Sequence, residues 1–372
     1  MARVIVRGVK DYDETLRKEV RAMLEALDEG RIVAGRKVLV KPNLLMPAPP
    51  SKAVTTHPAV VRAVVEYVLD RGARPVVADS PAVSSPARIL KTGGYGEALA
   101  GLEVSWEEFR DSVTVDAGPP FHRLEIAREA LEADTVINLP KLKTHGQMLL
   151  TLGVKNLFGC VVGFRKPQWH LRAGIDRMMF ARLLVRVYER VRPAINLLDG
   201  VWGLEGQGPS FGGSPRHAGV LMAGADAAAL DAAVCSMLGV DPGDLPTHRA
   251  ALERGLVPDS LEIDGTLPIV PGFDLPDMAP LMFGPAGLHG PLRRHLIQRP
   301  VADASLCRLC GECWKYCPAQ AVQPGEKAVR FDYDKCIRCY CCLEVCPHGA
   351  LRAQEPLPGR ILRKVLERRG KE

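Results

Sequence analysis

Along the first 240 residues the apolar positions switch repeatedly between the two-residue alternation of strands and the three-and-four spacing of helices. RVIVRGV (residues 3–9) predicts a strand, and DYDETLRKEVRAMLEALDEG (11–30) a helix with aspartate at its start and glycine at its end. KVLVKPN (37–43), a helix over HPAVVRAVVEYVLDRGA (57–73) and the strand RPVVADS (74–80) continue the alternation. The pattern loosens over 81–133. It resumes with the strand DTVINLP, one long helix over LRAGIDRMMFARLLVRVYERVRP (171–193), the strands AINLLDG and HAGVLMAG, and the helix DAAALDAAVCSMLG (226–239). Strands joined by crossover helices predict an α/β fold with a doubly wound, mostly parallel sheet.

Between Pro268 and Pro300 seven prolines break any continuous element, so residues 268–300 read as a connector after an α/β domain spanning 1–267. Phe273, Met278, Leu281, Met282 and Phe283 ask for burial, which lays the connector along that domain. A small α+β, ferredoxin-like domain is expected over 301–353, followed by a basic tail over 354–372. The tail's Ile361, Leu362, Val365 and Leu366 recur at helical spacing and suit docking, or a weak surface contact.

Composition adds exclusions. With 47% hydrophobic and 25% charged residues the chain is an ordinary globular protein, and a net charge of +6 concentrated in the tail does not indicate nucleic-acid binding. No apolar run approaches the roughly 20 residues of a membrane span, and the N-terminus lacks the apolar core of a signal peptide, so the expected location is the cytoplasm.

Nine of the eleven cysteines fall between Cys307 and Cys346, a local constellation and not a disulfide framework. CRLCGECWKYCP (307–318) and CIRCYCCLEVCP (336–347) each follow CxxCxxCxxxCP, in which the fourth cysteine of one run ligates the cluster of the other. Two 4Fe-4S clusters follow: Cys307, Cys310, Cys313 and Cys346 hold one, Cys336, Cys339, Cys342 and Cys317 the other, and Cys341 is spare. CxxC pairs also bind zinc, but two complete proline-closed runs favour iron and sulfide. Arg308, Lys315, Lys335 and Arg338 beside the ligands would favour the more negative, reduced clusters. Cys235, within a helical pattern, reads as a small buried hydrophobe, and Cys160 as the same or a ligand.

In open parallel sheets ligands bind beyond the carboxyl ends of the strands. Those ends carry Lys41 and Asn43, Asp79 and Ser80, Asn138 with Lys141, Lys143 and His145, and Asp199. The segment GVKNLFGCVVGFRKPQWH adds Lys155, Asn156, Arg165, Lys166 and His170, and Glu205 lies in a glycine-rich loop, GVWGLEGQGPSFGG. The chain has only four asparagines, Asn43, Asn138, Asn156 and Asn196, and all sit in or beside these segments. Asp226 and Asp231 fit a helix start or a ligand role.

KPNLL, VINLPKLKTH with LTLGVKNLFG and KPQWH, then LLDGVWGLEGQGP and GADAAALD, together resemble the uncharacterised iron-sulfur-centre proteins called domain of unknown function 362. The resemblance spans residues 37 to about 240 and the cysteine-rich region. It implies the two-domain architecture and the clusters, and no reaction.

Three functions compete. In the first, an oxygen-sensitive oxidoreductase exchanges electrons with a small anionic molecule: Lys143, His145 and His170 are the catalytic candidates, and Lys41, Asn43, Asn138, Lys141, Lys155, Asn156, Asp199 and Glu205 bind the substrate. In the second, an electron carrier, the α/β domain docks a redox partner protein. In the third, a mononuclear metal sits among Asp79, His145, His170, Asp199 and Glu205. The polar strand ends favour the first. Anaerobically purified protein is expected to contain about eight irons and eight acid-labile sulfides per chain. Replacing Cys317 or Cys346 should damage the cluster built mainly by the opposite run, whereas replacing Cys341 should leave both; zinc with little sulfide would refute the assignment.

Overall fold

A computed structural model describes residues 1–83, 85–163, 165–278 and 295–361. Its strands up to the connector are β1 (Ala2–Gly8), β2 (Lys37–Pro42), β3 (Arg74–Asp79), β4 (Ser105–Glu108), β5 (Ser112–Val115), β6 (Leu124–Ala127), β7 (Thr135–Leu139), β8 (Lys141–His145), β9 (Leu149–Leu150), β10 (Ile195–Gly206), β11 (Gly213–Gly224) and β12 (Leu261–Asp264). Ten of them form one sheet in the order β12-β1-β11-β10-β7-β2-β3-β4, with β8 attached to β10 and β9. The β2, β3, β4 and β7 pairings are parallel, as are β7–β10, β8–β10 and β1–β12. Antiparallel pairing is confined within this sheet to β1–β11, β10–β11 and β8–β9. The mostly parallel α/β sheet predicted from the apolar pattern is therefore present.

Both faces are covered, which is why the central strands are apolar almost without interruption. Helices Glu14–Asp28 and Pro58–Asp70 pack with Val38, Val40 and Ile137 on one side. Helix Arg177–Val191 packs with Leu39, Val136 and Ile126 on the other. Asp13 caps the first helix by accepting from Thr15 N at 2.9 Å. Cys160 and Cys235 are fully buried, and burial pushes the Cys160 thiol up to about 12.

The sequence pattern misleads at three places. The long helix expected over 171–193 is two helices, Arg165–Ala173 and Arg177–Val191, because Gly174 takes φ +60 and Asp176 starts a new helix by accepting from Met179 N. The expected glycine-rich loop is mostly sheet, since β10 runs to Gly206 and β11 begins at Gly213. The segment after Pro140 is not a loop: β8 restarts the chain beside β10, with Lys141 opposite Asp199 and Lys143 opposite Leu204. Asp226 is a helix cap, and Asp231 accepts from Gly153 N (2.6 Å) and Val154 N (3.1 Å), anchoring the short helix Gly153–Asn156.

Along the described part of the connector, Asp274 O accepts from Gly206 N at 2.7 Å, Val270 N donates to Met237 O, and Phe273 is buried. Leu281, Met282 and Phe283, and the tail beyond residue 361, lie outside the described residues. The cysteine-rich region pairs Arg299–Ala302 with Leu351–Gln354 and Val322–Gln323 with Arg330–Phe331. It shares one apolar core with the larger sheet: Met46, Val54 and Leu204 pack with Tyr340, Leu343, Val345 and Leu351. Ser210 Oγ donates to Leu343 O (2.8 Å), and Ala353 N donates to Gln207 Oε1 (3.0 Å) across the same boundary. Leu204→Ala is expected to cost about 2–5 kcal/mol, read as a lower urea midpoint with unchanged iron content.

Candidate functional site

Alternation along β8 points Lys141, Lys143 and His145 to one face and Leu142 to the other, yet all four are buried. Each buried cation must then find partners inside the protein. Lys141 Nζ donates to Asp199 Oδ2 (2.7 Å) and to Tyr12 Oη (3.0 Å). Asp199 is saturated by these contacts, accepting also from Tyr12 Oη (2.9 Å) and His57 N (2.8 Å). Lys41 Nζ lies 3.0 Å from Asp79 Oδ1. Lys143 has no carboxylate: its Nζ donates to Asn43 Oδ1 (2.7 Å) and Val54 O (2.6 Å), and burial, reinforced by Lys155, holds its pKa well below the usual lysine range.

The four asparagines form a single head-to-tail relay. Asn43 Nδ2 donates to Asn156 Oδ1 (2.8 Å), Asn156 Nδ2 to Asn138 Oδ1 (2.8 Å), and Asn138 Nδ2 to Asn196 Oδ1 (2.9 Å). Asn196 Nδ2 ends the relay on Ala225 O (3.1 Å), and Lys143 heads it through Asn43 Oδ1. The relay ties β7 and β10 to the loop after β2 and to the helix Gly153–Asn156.

His145 bridges the two parts of the chain. Its Nδ1 accepts from Gln147 N and Met148 N, both at 3.1 Å, so the ring proton sits on Nε2 and is donated to Glu344 Oε1 at 2.6 Å. Burial lowers the His145 pKa to about 4 and keeps the imidazole neutral. Burial opposes charge on Glu344, but the hydrogen bond from His145 and the nearby Lys155 outweigh it and hold the carboxyl below its usual range.

Beside Glu344 the two parts enclose a cavity of about 80 Å³, several times the ~10–15 Å³ that admits one water. The α/β part contributes Asn43, Asp79, Ser80, Lys155, Asn156, Lys166 and His170; the cysteine-rich part contributes Tyr316, Cys341, Glu344 and Val345. Of the residues expected to bind a substrate, Asn43, Lys155 and Asn156 line it, as does His170. Lys41, Asn138, Lys141 and Asp199 are fully buried and satisfied behind the wall, and Glu205 accepts from Asp274 N in the connector. Lys143 and His145, expected as catalytic groups, do not line the cavity, and both engage in internal hydrogen bonds. Sequence reasoning passed over Glu344 and treated Cys341 as spare; proximity to ligand cysteines was the one available signal.

The cavity's acceptors are largely used. Asp79 takes Lys41 and Ser80 N on Oδ1 and Leu44 N on Oδ2, and Glu344 takes His145. Donors remain. The Lys155 side chain makes no hydrogen bond among the described residues, Asn43 Nδ2 keeps a second hydrogen, and Ser80 Oγ accepts from Gly163 N and keeps its proton to give. Lys166 donates to Ser80 O and is lowered to about 8 by burial, against the pull of Asp79. His170, stacked on Phe180 and lowered to about 3 by burial, leaves Nδ1 buried without a partner. A β-carbon at Gly159 would collide with Asp79 and Lys41, so this wall requires glycine.

The thiols acting on Cys313 are Cys346, Cys310 and Cys307, those acting on Cys317 are Cys339 and Cys336, and Cys342 feels Cys339, Cys336, Cys313 and Cys317. Arg338, fully buried in the second run, leaves Nε and Nη2 without partners, which suits a negatively charged thiolate-held cluster beside it. Among the described residues no three His, Cys, Asp or Glu surround a point as the ligands of a single ion would. A cubane differs, since its thiolates stand on four separate irons. No helix among the described residues is long and apolar enough to cross a membrane.

Residues 299–347 match the 4Fe-4S dicluster domain, so the chain carries a ferredoxin-like iron-sulfur domain. Over this region it is similar to pyruvate synthase subunit PorD of Thermotoga maritima, 41% identical over 56 residues, covering 15% of this chain and 57% of that protein. The chain is similar to the thylakoid-associated protein sll1697 of Synechocystis, 39% identical over 278 residues, covering 73% of this chain and 86% of that protein. Among solved structures, the lactate racemase apoprotein of Thermoanaerobacterium thermosaccharolyticum aligns over 52% of this chain and 50% of its own at a TM-score of 0.37 and 13% identity, too distant to carry any argument. Residues 38–236 match the domain of unknown function DUF362, and with the 39% identity to sll1697 over most of both chains this protein belongs to that family.

Proposed function

We propose that the protein is an iron-sulfur oxidoreductase that holds two 4Fe-4S clusters and exchanges their electrons with a small anion bound between its two parts. The observation that carries this reading is the make-up of the cavity: Tyr316, Cys341 and Val345 in its wall are sequence neighbours of the ligand candidates Cys317, Cys342 and Cys346, and the opposite wall offers unspent donors. When bound, the clusters would supply electrons singly; Cys307, Cys310, Cys313 and Cys346 hold one, and Cys317, Cys336, Cys339 and Cys342 the other. In the first set Cys310 is exposed, Cys307 half-buried and Cys313 and Cys346 buried, whereas in the second Cys336, Cys339 and Cys342 are buried and Cys317 half-buried. The more exposed Cys307 and Cys310 offer the side from which a redox partner protein would reach the clusters.

Lys155, Asn43 and Ser80 bind and orient the anion. Lys166, with a pKa lowered to about 8 by burial, is the group able to give or take a proton near neutrality. His170 stays neutral and directs a ring nitrogen at the guest. His145 positions the cysteine-rich part through Glu344. The likeness to PorD favours a second reading, an electron carrier whose α/β part docks a redox partner.

Acetate and inorganic phosphate, added to the dithionite-reduced protein, are expected to shift its paramagnetic resonance spectrum. Binding should fall as pH rises through about 8, where Lys166 loses its proton; below that its ammonium is retained and binding is full. Lys155→Ala and Lys166→Ala should each weaken binding at least tenfold, the loss of one charge-assisted hydrogen bond, with iron content and dithionite reduction unchanged. A spectrum indifferent to both anions would leave the carrier reading in place.

A further inference from the structure

The two cysteine runs turn alike. The residue before the second ligand is left-handed in both, Leu309 at φ +50 and Arg338 at φ +60, as is the residue after it, Gly311 at φ +98 and Tyr340 at φ +60. The turn therefore accepts leucine as well as arginine, and the arginine beside Cys339 answers to something other than backbone shape. Of the four cations near the ligands, Arg308, Lys315 and Lys335 are exposed, where water and salt screen them, and Arg338 alone is fully buried. Its Nη1 donates to the carbonyl of the ligand candidate Cys336 at 3.3 Å, which places the guanidinium on the second run, and its Cζ lies 5.3 Å from the Tyr333 ring centroid. Nε and Nη2 are buried without a partner, and no acidic side chain pairs with the group among the described residues. A guanidinium cannot shed its proton as a buried lysine can, so this charge is permanent and no protein anion balances it.

We propose that Arg338 sets the potential of the cluster held by Cys336, Cys339, Cys342 and Cys317, its fixed charge offsetting what burial costs that cluster when it accepts an electron. This rests on the two-cluster reading. A cubane held by four thiolates is negative and becomes more so on reduction, a change that a dry site opposes and a nearby cation favours. Three ligands of this set, Cys336, Cys339 and Cys342, are buried, whereas the other set includes the exposed Cys310 and has Leu309 in the place of the arginine. Water does for that set part of what Arg338 does for this one. Arg338 acts through the cluster and is a positioning residue, forming no bond to iron.

The test is an anaerobic redox titration of the iron-loaded holoprotein followed by paramagnetic resonance, which reads the two one-electron steps. Arg338→Gln should keep its iron, move one step at least tenfold toward the oxidised form, about 59 mV lower for one electron, and leave the other step in place. Arg308→Gln, which removes an exposed cation, should move neither step that far. When Cys310→Ala damages the other cluster, Arg338→Gln should still shift the step that survives. Two unmoved steps, two steps moved equally, or a shift confined to the cluster that Cys310 serves overturn the proposal. If Arg338→Gln loses iron, Arg338→Lys decides, because it keeps a cation: a step close to that of wild type supports the charge, and a tenfold fall overturns it. Loss of iron from Arg338→Lys as well overturns the proposal by making Arg338 a structural requirement of the domain. About four irons per chain in wild type, in place of about eight, would refute the two-cluster reading itself and the proposal with it.

Discussion

Polar groups carried into a dry sheet edge have to be satisfied there, and at the carboxyl ends of β2 and β7, along β8 and in the first half of β10 this one requirement fixes most of what surrounds them. Two neighbouring lysines of β8 meet it differently. Lys141 is matched by a carboxylate, Asp199, which is itself saturated by Tyr12 and the backbone of His57. Lys143 is matched by two neutral oxygens. Two acceptors suit the two hydrogens of an uncharged amine, and burial lowers its pKa in the direction that favours that form. The asparagine relay then carries the hydrogen-bond polarity set by Lys143 across to β10, and each amide is oriented by its neighbours. Removing any member would leave a buried donor or acceptor unmade, at about 1–3 kcal/mol for each.

That satisfied edge is also a foundation. The cysteine-rich part sits on it through a shared apolar core and through the His145–Glu344 hydrogen bond. Apolar burial supplies affinity without direction, whereas the imidazole, pinned by two backbone N–H groups, admits only one placement of the carboxylate. The cavity lies where these two kinds of contact leave space, so its shape depends on both parts.

Period and ligand chemistry made much of this legible in the chain. Alternating apolar runs located the main parallel strands, and iron-sulfur chemistry imposes so local a spacing that the dicluster domain could be read directly. The scarcity of asparagine marked the right four residues, although nothing in the sequence says that they bond to one another. What stayed hidden depends on tertiary contact. KLKTH looks like a solvated loop because four of its five side chains are polar, and it becomes a buried strand only because Asp199, Asn43, Val54 and Glu344 arrive from elsewhere in the chain. Helix 171–193 was over-extended because a single Gly174 is tolerated in many helices and here takes φ +60. Lys41, Lys141 and Lys143 form the supporting wall, and Lys155 and Lys166 face the space.

The division of labour among five lysines has an electrostatic logic. Ammonium groups in a low-dielectric site repel strongly, so five charged lysines around one small cavity would be costly. Two are offset by carboxylates, Lys41 by Asp79 and Lys141 by Asp199, and a third, Lys143, is driven toward neutrality by its surroundings. Lys155 and Lys166 are left to present charge to the cavity, and both have pKa values lowered by burial. A negative guest raises those values again and holds the protons in place. On the proposed reading, an electron arriving nearby acts in the same direction, so charge entering the site is matched by proton retention within it. The buried, satisfied edge makes this possible because it supplies a rigid wall whose own charges are already cancelled.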